Sequence, residues 1–401
     1  MTYGEKVCGL SKALAGITDA RKKPRIPTAK VVRSSLVMFS ARLGSLNALE
    51  QVKESPFLKE WIDGPLPSID SIGRICDLID PATVRRANHD LYSRLKRAKA
   101  IFAPRHGLMT LVVDGHESHA TYHQRCPGCL ERKIQTAAGE KIQYYHRSVS
   151  AMLVAEDFEL FLDTEPQRRG EDEIATALRL LERVVAKYPR AFDVVLGDAL
   201  YTDPRFYNFL IAHGKYALTV LKGNVPSLLE DAKNLSEALQ PTVVSQGPKK
   251  IEAWDMEEFT TWPQVEKPVR IVRSRETSTI RRQLDGKCED LISEWFWVTT
   301  LDCPHANTKT VVEVGHSRWI IENHGFNEAT NQWHADHVYK HEPGAILVFG
   351  LLCMVAFNLF HAFFARNLKS ALKARVTMRH VARTLLEELY RGIHKQPPRP
   401  P

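Results

Sequence analysis

The sequence predicts an α/β protein: a mixed central sheet with flanking helices, a helical N-terminal region before it and a β-rich insertion within it. Three observations carry that reading. Residues 1–105 place apolar side chains at three- and four-residue spacing, the period of amphipathic helices. Residues 106–223 give three strand-like runs, then helix, strand, helix and strand, the order of a mixed sheet that helices cover. Residues 224–308 lose the helical period and fill with short β-prone runs and polar turns.

The elements follow in order. LVMFSARLGSLNALEQVKES and SIDSIGRICDLIDPATVRRANHDLYSRLKRAKA read as helices, with Ser68 and Asp70 as candidate caps for a helix opening near Ile72 and Pro67 as the break before them. LMTLVVD (108–114) is a short apolar run that ends in an acid, which predicts a buried strand. QYYHRSVSAMLVAE and ELFLDTE are two more strands, and EDEIATALRLLERVVAKY is an amphipathic helix. FDVVLGD (192–198) again closes an apolar run on an acid. DPRFYNFLIAHG is a helix with Gly214 at its end, and KYALTVLKG is a further strand. KPVRIVRSRE and EWFWVTTL represent the insertion. Helical character returns over 309–365, where Trp319, Phe326 and Trp333 recur every seven residues as a core-facing stripe. A basic helical tail, 366–401, ends in the polyproline-like PPRPP.

Composition narrows the class. Of 401 residues, 44% are apolar and 25% charged, which excludes a disordered, collagenous or coiled-coil chain. Seven cysteines and a start without a long apolar run point to a reducing cytoplasm, where paired cysteines hold metal more readily than a disulfide. The net charge of +8 is clustered. Residues 85–105 carry seven basic side chains against Asp90, and 366–401 carry nine against Glu387 and Glu388. The remainder is mildly acidic, so the clusters predict a polyanion partner such as nucleic acid. The uncharged stretch 345–365 has transmembrane length. It is solitary, contains Asn358 and His361, and runs on into RNLKSALKAR, so it reads as a helix buried in protein, with no membrane partner.

Two strand candidates end in Asp114 and Asp198, next to Gly115 and Gly197. Carboxylates at the carboxyl ends of neighbouring strands project into a crevice and can share divalent cations. Their hard oxygens suit Mg²⁺ or Mn²⁺, and two such ions serve phosphodiester cleavage. Glu322 in RWIIENHGF is the natural third acid, with Arg318 one helical turn before it. The plain alternative for each aspartate is a turn or cap.

VVDGHE around Asp114, LGDALYTDPRFYNFL around Asp198, TVLKGN at 219–224 and SRWIIENHGFN around Glu322 together resemble a bacterial insertion-sequence transposase of the DDE class. The resemblance covers about residues 106–365. It implies an RNase-H-like core split by the insertion, and metal-dependent cleavage of element ends followed by strand transfer into target DNA. Asp114, Asp198 and Glu322 would be the catalytic acids and ligate two Mg²⁺ or Mn²⁺ ions. Arg318, Lys222 and Asn323 would contact phosphate, with Arg94, Arg97, Arg375, Arg379 and Arg383 from the basic segments on the DNA backbone. The helical N-terminal region would bind the element ends, as a homodimer on double-stranded DNA at the bacterial nucleoid. A transposase-derived DNA binder without catalysis and a nuclease that does not join ends are the rival readings. The family's tyrosine before the arginine and lysine after the glutamate are Gly315 and Ala329 here.

One motif stands apart. Cys126-Pro-Gly-Cys129 has the spacing at which two thiolates reach one Zn²⁺, and histidines surround it in the sequence. His123 and His146 are the preferred partners for a structural zinc, against the plain alternative of a Pro-Gly turn that carries two cysteines.

Overall fold

The computed structural model describes residues 2–137, 139–246, 249–281, 288–391 and 393, so the PPRPP terminus lies outside the described residues. Side-chain caps start most of the early helices. Ser45, Ser55 and Ser68 each accept a backbone N–H three residues on, and Asp80 accepts that of Ala82. The N-terminal helices are α1 (Leu10–Ala15), α2 (Thr28–Ser40), α3 (Leu46–Gln51), α4 (Pro56–Trp61), α5 (Ile69–Leu78) and α6 (Pro81–Arg97). Ser68 caps α5 as expected, but the helix opens at Ile69, a turn earlier than the apolar spacing suggests.

The chain continues as β1 (Thr110–Thr121), β2 (Leu130–Thr136), β3 (Gly139–Val154), β4 (Glu159–Pro166), α7 (Glu173–Lys187), β5 (Val194–Gly197), α8 (Pro204–Ala212), β6 (Tyr216–Val220) and α9 (Pro226–Ala238). Then come β7 (Thr242–Gln246), β8 (Lys249–Phe259), β9 (Val269–Arg281), β10 (Cys288–Thr299), α10 (Thr308–His316), α11 (Asn327–Trp333), α12 (Pro343–Asn367), α13 (Ser370–Lys373) and α14 (Met378–Arg391). They form two compact units. The first contains 1–102, 115–187 and 322–401; the second contains 103–114 and 188–321.

In the second unit the apolar runs pair in parallel. Thr110, Leu111 and Val112 of β1 align with Val194, Val195 and Leu196 of β5, and β5 aligns in turn with β6. Strand β10 joins β6 antiparallel through Trp297–Val220, and β9, β8 and β7 follow antiparallel. The β-rich segment therefore extends the sheet edge at β6. It also opens with a helix, α9, which the pattern hides because its buried stripe is narrow: Leu228, Ala232 and Ser236.

In the first unit β3 lies between β1 and β2, and its second half pairs with β4. Strand β2, LERKIQT, has no apolar run because most of its side chains are exposed; its seven pairs with β3 make it a strand. Strand β1 runs past Asp114 to Thr121, so the first acid sits within a strand and does not end it. Helix α12 packs on β4, α2, α5 and α6 and is buried over most of its length. Its polar side chains find protein partners: Asn358 accepts the Phe161 N–H and donates to Phe161 O and Asn88 Oδ1, and His361 meets Glu328. Beside it, Asp163 and Glu165 are buried and hold Arg85, Arg179 and Arg183. Arg85, counted in the basic segment, is thus used inside the fold.

Candidate active site

The two aspartates stand at matched levels of the second unit. Each lies two residues beyond the registered pair Val112–Leu196 of parallel β1 and β5, and both are half-buried. Parallel register does this because equal rise along both strands keeps their ends level. Asp198 also caps the short 3₁₀ turn Ala199–Tyr201, accepting the Leu200 N–H at 2.8 Å. The capping role and the candidate metal role fall on one residue.

The loop that carries Asp198 is tied to the end of β6. Thr202 Oγ1 donates to Val220 O at 2.9 Å, and Asn224 Nδ2 donates to Ala199 O at 2.7 Å. This gives a function to Asn224 in TVLKGN that the sequence does not disclose; its only signal is an amide just past a strand end. Gly197 is required by space. A Cβ there would lie 2.5 Å from Tyr201 Cβ, and Tyr201 is fully buried. Gly115 is constrained in the first unit, where a Cβ would lie 2.6 Å from the Glu173 carboxylate.

Glu322 is half-buried in a π-helical turn, Ile321–Phe326, and opens the last segment of the first unit. Arg318 lies in the turn after α10, its N–H bonded to Gly315 O. Its guanidinium lies 4.7 Å from the Trp319 ring, and the residue as a whole is mostly buried. Arg318 and Glu322 are therefore not one turn apart on a regular helix. The seven-residue stripe breaks for the same reason, since i→i+5 bonding adds a residue to the turn and rotates the residues after it. Trp319 joins Trp295, Trp297 and His316 in the second unit. In the first unit Phe326 is half-buried and stacks on His116 at 4.8 Å, and Trp333 is fully buried beneath Arg42.

The remaining expected contacts divide. Lys222, Asn323, Arg97, Arg375, Arg379 and Arg383 are exposed. Arg94 is not a free surface cation: its guanidinium packs on Gly9, where an added Cβ would meet it at 2.7 Å. Arg379 and Arg383 lie on α14, but Arg375 precedes that helix, so the three do not share one helical face. A buried group the sequence reading missed is Glu276, between His316 and Lys249. Burial pulls its pKa up, but these two partners outweigh it and hold the carboxyl below its usual range.

The Transposase DDE domain family matches residues 105–359. The chain belongs to the DDE transposases. No curated protein matches it. The mixed α/β fold is accordingly the RNase-H-like type, and as a DDE transposase the protein works on DNA with divalent metal. Its two departures from the family pattern sit in different surroundings. At Gly315, where the resemblance places tyrosine, a Cβ would lie 2.6 Å from the Trp297 ring, so the indole fills that space. Ala329, at the lysine position, is buried and lines an apolar cavity of about 650 Å³ in the first unit with His116, Phe326 and Phe357. The donor chemistry of Asp114 and Asp198 fits the metal: two half-buried carboxylates offer the hard oxygens that Mg²⁺ and Mn²⁺ prefer.

Proposed function

We propose that this DDE transposase cuts the ends of its own element, a bacterial insertion sequence, and joins them to target DNA. Asp114, Asp198 and Glu322 are the acids that hold two Mg²⁺ or Mn²⁺ ions. One observation supports this above others: within the matched domain, β1 and β5 run parallel in a register that levels the first two acids. When bound, such ions activate a water and stabilise the leaving oxygen of a phosphodiester.

The protein's own groups supply the rest. One Asp198 oxygen is held by the Leu200 N–H, which orients the carboxylate. Arg318 offers a planar fork to a phosphate, and its contact with the Trp319 ring restrains it. In the first reaction a water oxygen bonds to phosphorus and the P–O3′ bond breaks, leaving a 3′-hydroxyl on the element. In the second that hydroxyl oxygen bonds to a target phosphorus, its proton passes to solvent, and the target's O3′ leaves. Lys222, Asn323, Arg97, Arg375, Arg379 and Arg383 contact the DNA backbone, which sets register without reading sequence. The helical N-terminal region reads the ends, and two copies act together on double-stranded DNA at the nucleoid in the cytoplasm.

A marker bounded by the DNA that flanks the reading frame, supplied in bacteria beside the protein, should move to new sites. Movement no more frequent than with Asp114→Asn would defeat the reading. Binding of those ends without movement would instead favour a transposase-derived DNA binder.

A further inference from the structure

The CPGC motif takes no part in the chemistry above, yet the first unit gathers its side chains tightly. Cys126 and Cys129 lie in the loop between β1 and β2, and His146 lies on β3. The β2–β3 register pairs Leu130 with Tyr145, so one further step brings Cys129 opposite His146. His123 stays exposed beyond the end of β1 and is not part of the group, which corrects its selection from sequence proximity.

The three ligand atoms form a triangle. Cys126 Sγ and Cys129 Sγ are 3.7 Å apart, and His146 Nε2 is 3.4 Å from the first and 3.5 Å from the second. A tetrahedral zinc with Zn–S near 2.3 Å and Zn–N near 2.0–2.1 Å sets S–S edges of about 3.8 Å and S–N edges of about 3.5 Å. All three edges agree. The sulfur separation is far longer than the roughly 2.05 Å of a disulfide.

The site is also built in advance. Both cysteines are buried. The Cys129 N–H bonds Cys126 O to close the turn, and Arg169 Nε donates to Cys129 O at 2.8 Å. Gly128 leaves no room for a side chain, because a Cβ would lie 2.9 Å from Pro343 Cγ. The segment that starts α12 therefore packs on the turn. Two residues before Pro343, His341 has its Nδ1 buried with no hydrogen-bond partner among the described residues. The His341 ring contacts that of His119 at 5.3 Å.

We propose that Cys126, Cys129 and His146 bind a structural Zn²⁺ and that His341, which stands outside that group of three, moves in to supply the fourth ligand. The ion then fastens the β1–β2 loop, strand β3 and the start of α12 to one another. Two thiolates and two imidazoles suit Zn²⁺ over the hard cations of the carboxylate site.

Metal analysis of the full-length protein should find one zinc per chain, and Cys126→Ser/Cys129→Ser should lose it. Chelation of the wild type should lower Tm by at least about 5 °C. His341→Ala should weaken zinc retention against a chelator at least about tenfold, with His119→Ala unchanged. Should the variants not fold, Co²⁺ added to the chelated wild type should give thiolate-to-metal charge transfer and the visible bands of tetrahedral cobalt. Absence of zinc together with absence of that cobalt spectrum, or zinc retained in the double serine variant, overturns the site. Zinc retention unaffected by His341→Ala overturns the fourth ligand.

Discussion

Asp198→Asn should leave the protein folded and slow DNA cleavage by at least about 1,000-fold, the size of losing several kcal/mol of metal-mediated charge stabilisation. The choice of asparagine separates the two functions of this residue. Asparagine caps as well as aspartate, so the Leu200 N–H keeps its acceptor and Tm should stay within about 2 °C. Asp198→Ala should lose cleavage equally and also lose the cap, at about 0.5–2 kcal/mol. Asp114→Asn and Glu322→Gln should match the cleavage defect in single-turnover assays. If Glu322→Gln cleaved normally, the third acid would lie elsewhere. Glu328 is a poor replacement, because its carboxylate is engaged by His361 and Trp333. Glu313 would be next.

Asn358→Leu should destabilise the protein by about 2–5 kcal/mol although it makes the apolar helix more apolar. The Asn358 side chain satisfies the Phe161 N–H, Phe161 O and Asn88 Oδ1, all buried. Leucine would strand the Phe161 N–H and Asn88 Oδ1, while Phe161 O keeps the Asn88 amide, at about 1–3 kcal/mol for each group left unsatisfied. A lipid-facing position would respond with the opposite sign, since leucine favours bilayer insertion. The midpoint of urea unfolding decides between them, and an unchanged or raised midpoint would contradict burial of this helix in protein.

What the sequence made legible was local. The apolar runs before Asp114 and Asp198 became β1 and β5 because continuous Val and Leu suit a strand buried on both faces. The Ser68 cap and the helix α7 followed from side-chain chemistry and period. Non-local pairing was not legible. The charged strand β2 exists through its ladder with β3, and β10 reaches β6 across the whole of 224–296. At the candidate site the aspartates could be picked by the acid at the end of an apolar run. The helix break at 317–318 and the wide turn at 321–326 could not, because nothing in SRWIIENHGF separates them from a continuous α-helix, and together they undid the Arg318–Glu322 spacing and the aromatic stripe. His146 lies beside the cysteines and His123 does not, because strand register, and not sequence distance, decides which ring faces the thiols.

Purified protein, Mg²⁺ and labelled DNA carrying the element's ends, with a separate target duplex, provide the most direct test. The expected product is element DNA joined through its 3′ ends to the target, formed in Mg²⁺ or Mn²⁺ and lost with chelator or with Asp114→Asn. Cut ends that never join would reduce the protein to a nuclease, and intact DNA under all metal conditions would contradict catalysis by Asp114, Asp198 and Glu322.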